Sequence, residues 1–165
     1  MANLLAQVER LDIESRGLGP GASRLLGRGA GKVSTERVDG STWIFRESGR
    51  VYWLRPDSQP GATSLAFRNE MRWRVLSDRI ELAHARFGPG REVPLAVLME
   101  PGPRPKSTLF PNADLIAPEP HRCGRDQYRA GLRISPTGFD LLWRIEGLNK
   151  NERLTQRYRV GRGNA

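Results

Sequence analysis

The chain has 165 residues, with 27 basic against 18 acidic side chains, a net charge of +9 and a pI near 10.9. Hydrophobic residues at 38% permit a packed core and exclude wholesale disorder, and 18 Gly with 12 Pro speak against an all-helical bundle. No apolar run reaches the roughly 18 residues of a membrane span, and a lone cysteine, Cys123, excludes an intrachain disulfide framework or an all-cysteine zinc site.

Met1-Ala2-Asn3-Leu4-Leu5 lacks both a basic start and a long apolar stretch, so no secretory signal is read there and a cytoplasmic location is expected. Apolar residues at positions 4, 5, 8 and 11 predict a short N-terminal helix over residues 1–11. Gly17 to Gly31 holds six glycines in fifteen residues, which reads as turns and a glycine-broken first strand. A phosphate loop at Gly27-Arg28-Gly29-Ala30-Gly31-Lys32 is rejected, because the pattern needs Gly where Leu26 stands and Ser or Thr where Val33 stands. Strand bending is the expected role of these glycines.

From there the pattern changes to period two. Residues 65–75 alternate, with Leu65, Phe67, Met71, Trp73 and Val75 on one face and Arg68, Glu70, Arg72 and Arg74 on the other. Residues 91–99 and 139–146 alternate as well, the latter with Phe139, Leu141, Trp143 and Ile145 on one face. Such alternation marks half-buried antiparallel strands. Shorter candidates are 32–38, 41–47, 50–55, 79–86, 128–135 and 153–160, joined by hairpin-like connections at Asp39-Gly40, Ser48-Gly49, Ser77-Asp78, 88–90 and 136–138. Pro101–Pro120 holds six prolines and is expected to be an extended surface loop. About nine strands in hairpin succession predict a single all-β domain over 1–165, an antiparallel up-and-down barrel of about 8–10 strands. Phe67, Met71, Trp73, Leu141, Trp143 and Ile145 are expected in its core.

The 24 arginines outnumber the three lysines and are dispersed from Arg10 to Arg162, with local groups at Arg68/Arg72/Arg74, Arg122/Arg125/Arg129/Arg133 and Arg153/Arg157/Arg159/Arg162. Each group is interleaved with acids or turn residues, so a solvated outer face is expected rather than a phosphate- or acid-binding surface. A homodimer is left open.

Polar residues in phase with apolar ones are candidates for the barrel interior. They are Glu47 (with Trp43 and Phe45), Asn69 (with Phe67 and Met71) and His84 (with Ile80 and Leu82). Each is either part of a satisfied internal network or a ligand contact. The stretch Pro120-His121-Arg122-Cys123-Gly124-Arg125-Asp126-Gln127-Tyr128 gathers an imidazole, a thiol and a carboxylate before a strand. A nucleophile–base pair is disfavoured because His121 and Cys123 are only two apart, and a metal site would need a third or fourth ligand from His84, Asp126 or Glu119 at a spacing that matches no zinc pattern. A structural corner is therefore preferred, with Cys123 a free thiol buried behind it. His121 or Asp126 is expected to hydrogen-bond near Trp143, Lys150 or Tyr158, with Asp126→Ala costing about 1–3 kcal/mol.

His121-x-Cys123-x-x-Asp126-x-Tyr128, followed by Trp143-x-Ile145-x-Gly147-x-x-Lys150 and Arg157-Tyr158, resembles a small uncharacterised family of lipocalin-like (calycin) domains. Phe45-x-Glu47-x-Gly49 looks like that family's aromatic-x-Glu-x-Gly hairpin, and the likeness spans roughly residues 20–160. Gly147-Leu148-Asn149-Lys150 departs from the family's Gly-Pro-x-Lys, and residues 88–92 depart from its Asp-Gly-Arg-x-Phe turn. The resemblance implies an antiparallel calycin barrel with an internal cavity and lends no activity, cofactor or metal.

Three functions compete. The preferred one is a module binding a small apolar or amphipathic ligand. Its site residues are Trp43, Phe45, Glu47, Phe67, Trp73, His84, His121 and Trp143, with Cys123, Asp126, Tyr128, Lys150 and Tyr158 as structural motif. A haem-binding variant would need His84 or His121 facing the lumen. The alternatives are a nucleic-acid or polyanion binder using the basic exterior, and an enzyme using His121, Cys123 and Asp126.

Overall fold

The computed structural model describes residues 1–18, 26–54, 63–85, 87–88, 90–102, 109–148 and 150–161. Of the expected features, residues 19–25 of the glycine-rich stretch, Arg55, Arg86, Pro89, residues 103–108, Asn149 and Arg162 lie outside the described residues.

Among the described residues one turn of helix, α1 (Ala2–Leu5), precedes eleven strands: β1 (Val8–Gly17), β2 (Leu26–Arg37), β3 (Thr42–Leu54), β4 (Thr63–Val75), β5 (Arg79–His84), β6 (Val93–Met99), β7 (Leu115–Ile116), β8 (His121–Cys123), β9 (Asp126–Ser135), β10 (Gly138–Glu146) and β11 (Asn151–Val160). Neighbours pair in the order β10-β11-β1-β2-β3-β4-β5-β6-β7-β9, and β9 pairs back to β10. Ten strands thus close an all-antiparallel up-and-down barrel, with β8 hairpinned onto β9 beside the ring. The ring closes through the β9–β10 ladder, while among the described residues β8 keeps one unpaired edge. Among the described residues no helix is long and apolar enough to cross a membrane.

Period two is legible along the inner face. Trp43, Phe45, Met71, Trp73, Leu82, Leu98, Leu132, Phe139, Leu141 and Tyr158 are all buried. Of the expected core residues, Met71, Trp73, Leu141, Trp143 and Ile145 are buried, while Phe67 is half-buried. Four rings fill one end of the barrel. Phe45 and Trp73 lie 5.4 Å apart, Trp73 and Phe139 5.1 Å, and Phe139 stacks on Tyr158 at 4.8 Å. Helix α1 adds Leu5 to the same cluster, together with Val8 and Leu11 of β1.

Four expectations are corrected. The N-terminal helix ends at Leu5, and residues 8–17 form β1 between β11 and β2. The stripe at 5, 8 and 11 mimics a helix because an irregularity between Val8 and Arg10 resets the strand phase, so a spacing of three keeps both Val8 and Leu11 buried. Ser48-Gly49 is not a turn, and residues 41–47 and 50–55 are not separate strands, because β3 runs unbroken through Gly49. That glycine serves close approach: a Cβ there would stand 2.2 Å from the Ala30 carbonyl oxygen and 2.8 Å from the Phe67 ring. The Pro101–Pro120 segment is more than a surface loop. Its β7 links Met99 of β6 to Gly131 of β9, and Phe110 is buried against Gly131. Lastly, Cys123 is exposed, not buried, because β8 is a short rim hairpin paired on one side only.

Candidate functional site

Above the aromatic plug the inner face turns polar. Tyr158, the last ring of the plug, donates its hydroxyl hydrogen to Glu47 Oε1 at 2.6 Å, and Asn69 Nδ2 donates to Glu47 Oε2 at 3.0 Å. Gln156 Nε2 donates to the Tyr158 hydroxyl at 3.3 Å, while Gln156 Oε1 accepts from Trp143 Nε1 at 2.9 Å. The sequence sets this layer by alternation: Glu47 follows Phe45, Asn69 precedes Met71 and Gln156 precedes Tyr158, each pair two residues apart on one face.

The chemistry of the layer is unusual in lacking a cation. Glu47 is buried and makes no ion pair among the described residues. Burial pushes its carboxyl above the ordinary value of 4.5, and the hydrogen bonds from Tyr158 and Asn69 offset only part of that. Burial, and then the neighbouring Glu47, holds the Tyr158 hydroxyl well above its ordinary value, so it stays a donor. Because an indole N–H can only donate, Trp143 fixes which end of the Gln156 amide is oxygen. Gln156 therefore keeps a second N–H, and Asn69 a carbonyl oxygen, for other partners.

Beyond this layer lies a cavity of about 360 Å³, lined by Asn69 and Gln156, by Met71, Leu95, Ile145 and Leu154, and by Trp143, Tyr128, His84, His121 and Cys123. Three rings make one wall: His121 lies 6.1 Å from Tyr128, which meets the edge of Trp143 at 6.5 Å. Both histidines and the lone cysteine of the chain border the same hollow.

The expected site residues therefore separate into levels. His84, His121 and Trp143 line the cavity, and Glu47 sits one layer deeper. Trp43, Phe45 and Trp73 belong to the packed core and do not line it. Phe67 packs instead against Gly31 and Gly49. Asp126 pairs with Lys150 Nζ at 2.9 Å, the contact expected of the corner. The hydrogen bond that Lys150 donates to Asp126, aided by the Tyr128 hydroxyl, raises the Lys150 pKa. The carboxylate of Asp126 is thereby engaged by Lys150. Among the described residues no group of three His, Cys, Asp or Glu side chains is placed to hold a metal ion. Gln156 and Leu154 were missed in the sequence, although both share a strand face with Tyr158 at period two.

The side wall is incompletely zipped. Among the described residues strand β6 meets β7 only at Met99 and Ile116, and Pro94–Val97 and Pro118–His121 line an open groove. Pro94, Pro118 and Pro120 have no N–H to offer a ladder there.

Residues 12–160 match the family described as a family of unknown function, DUF6314, and the chain belongs to it. No curated protein and no solved structure matches the chain.

Proposed function

We propose that this DUF6314 member is a lipocalin-like (calycin) binding protein that takes one small, mostly apolar ligand into the open end of its barrel. The observation carrying this reading is the combination of an apolar-walled hollow of about 360 Å³ with a floor of two oriented amides. That volume lies within the ordinary range for small-molecule sites, at its lower end. Met71, Leu95, Ile145 and Leu154 cover the apolar body of the ligand, and Asn69 with Gln156 receives a polar end that both donates and accepts. His84 and His121 add hydrogen-bonding groups higher on the wall. The groove between β6 and residues 118–121 shares Leu95 and His121 with the cavity and serves as a side passage. In this reading the protein works in the cytoplasm, where an exposed thiol at Cys123 stays reduced.

The test uses the neutral fluorescent probe N-phenyl-1-naphthylamine, with native mass spectrometry of the purified protein for a retained ligand. Binding should be saturable with a stoichiometry of one, and Leu154→Trp, which fills the hollow from β11, should abolish it while leaving the thermal midpoint within a few degrees. Equal probe binding by the wild type and Leu154→Trp, or none by the wild type, overturns the reading.

A further inference from the structure

On the outer face of the barrel, register sets arginine against acid at several places. Arg46 stands opposite Glu70 and pairs with it at 3.2 Å, and Arg74 stands opposite Glu81 at 3.6 Å. Arg133 stands opposite Asp140, which also takes Arg159 at 2.8 Å. One row breaks this pattern. Arg129 of β9 faces Arg144 of β10, Arg144 faces Arg153 of β11, and Arg153 faces Arg16 of β1. Four guanidinium groups thus stand side by side on four neighbouring strands, spanning about 14 Å at a strand spacing of about 4.8 Å. Like charges directly opposite one another work against sheet stability, so the row calls for an anion.

Local acids neutralise only part of it. Arg16 pairs with Glu14 at 2.7 Å, and Glu14 is shared with Arg157 at 3.1 Å. Arg144 pairs with Glu146 at 3.1 Å through one nitrogen, and its other terminal nitrogen, Nη1, is buried without a hydrogen-bond partner. Asn151, diagonally across from Arg144 in the register, likewise buries Oδ1 without a partner. Arg129 and Arg153, on either side of Arg144, make no ion pair among the described residues. A second basic row, Arg159–Arg10–Lys32, differs in that Asp140 and Asp12 draw off its two arginines.

We propose that the Arg129–Arg144–Arg153–Arg16 row is a binding site for a linear polyphosphate anion lying across β9, β10, β11 and β1. Arg129 and Arg153 grip the phosphate oxygens with their planar forks, and Arg144, largely covered and paired with Glu146, adds its charge from beneath. A polyphosphate fits better than a nucleic acid because, among the described residues, the row offers no stacking platform. Its outer-face neighbours are Gly131, Leu142, Thr155, Gln127, Glu146 and Asn151, and the nearby ring of Phe110 is buried on Gly131. This site is separate from the cavity, which lies on the inner side of the same strands.

Sodium tripolyphosphate is titrated calorimetrically into the full-length protein at 50 and 150 mM salt. Binding should be measurable at the lower salt and weaken at the higher. Arg129→Gln/Arg153→Gln should lower the affinity at least tenfold, whereas the charge-matched pair Lys32→Gln/Arg68→Gln on β2 and β4 should change it less than twofold. Should the first pair fail to fold, Arg129→Lys/Arg153→Lys keeps the charge, removes the fork and should still lose several-fold. Equal losses in the two Gln pairs, or no binding at 50 mM salt, overturn the site. Binding of an oligothymidylate tighter than tripolyphosphate, with the same dependence on Arg129 and Arg153, overturns the polyphosphate assignment in favour of a nucleic acid.

Discussion

The two ends of this barrel are built on the same strands and the same alternation, yet one is full and the other hollow. At the end near α1, β3, β4, β10 and β11 each turn an aromatic ring inward: Phe45, Trp73, Phe139 and Tyr158. Higher up, Asn69, Met71, Gln156, Leu154 and Ile145 face the same lumen and leave about 360 Å³ unfilled. Between them lies the Glu47 layer, where the carboxyl is held by Tyr158 and Asn69 and the amides of Asn69 and Gln156 keep groups for the hollow above. Stability is thereby concentrated at one end, and the other end is left free to hold something else.

The comparison breaks most sharply at the plug. Phe45→Ala removes a fully buried ring touching Trp73, Phe139 and Tyr158 and should cost about 3–5 kcal/mol in urea or guanidinium unfolding. Leu154→Ala, on the cavity wall, should cost about 1 kcal/mol, since its side chain already borders empty space. Similar losses at the two positions would mean that the ends are equally packed.

The dividing layer comes next. Tyr158→Phe keeps the stacking ring and deletes the donor to Glu47 Oε1, which should cost about 1–3 kcal/mol. An unchanged unfolding midpoint would show that the carboxyl finds another partner.

Glu47 gives a smaller effect, visible through pH. Its folded pKa is raised, so as pH climbs past the ordinary value of 4.5 the unfolded chain releases this proton before the folded one does. The group therefore contributes stability that is greatest below 4.5 and declines with rising pH until the folded carboxyl also ionises. Glu47→Gln, with Asn69 turning its amide to accept, should flatten that decline, and the variant should gain on the wild type between pH 4 and pH 7. Parallel thermal-midpoint profiles over that range would contradict it.

Much of this was readable in advance, and the failures have physical causes. Alternation at 65–75 and 139–146 located β4 and β10 because Met71, Trp73, Phe139, Leu141, Trp143 and Ile145 are buried, although Leu65 is 57% exposed and the outward Asp140 is buried. It failed at β1, where an irregular register imitates a helical spacing, and at Gly49, where a glycine chosen for closeness reads as a turn. Glu47, Asn69 and His84 were visible as polar residues on apolar faces, whereas Gln156 was hidden among the charges of β11. The plug and the cavity could not be told apart, because Phe45 and Trp143 carry the same inward signal and only the closed ring decides which ring meets neighbours and which meets space. The arginine row was invisible for a related reason. Its members come from four separate stretches, and grouping by position along the chain placed Arg129 with Arg133 and Arg153 with Arg157.

The rim corner should show the smallest effect. Asp126 was expected to behave as a buried polar partner, and it does meet Lys150 at 2.9 Å. The carboxylate also rests on Gly147, where a Cβ would stand 1.9 Å from its Oδ1, so the corner is shaped around it. Yet the side chains are 21% and 47% exposed, and water reaches both charges. Solvent screening leaves such a pair about 0.2–1 kcal/mol, which replaces the 1–3 kcal/mol of a buried contact. Asp126→Ala should therefore lower the unfolding free energy by no more than about 1 kcal/mol, and Lys150→Met should do the same. The double variant should lose less than the sum, since one pair accounts for both. A single-variant loss as large as that of Tyr158→Phe would place the corner with the closed end of the barrel instead of the open one.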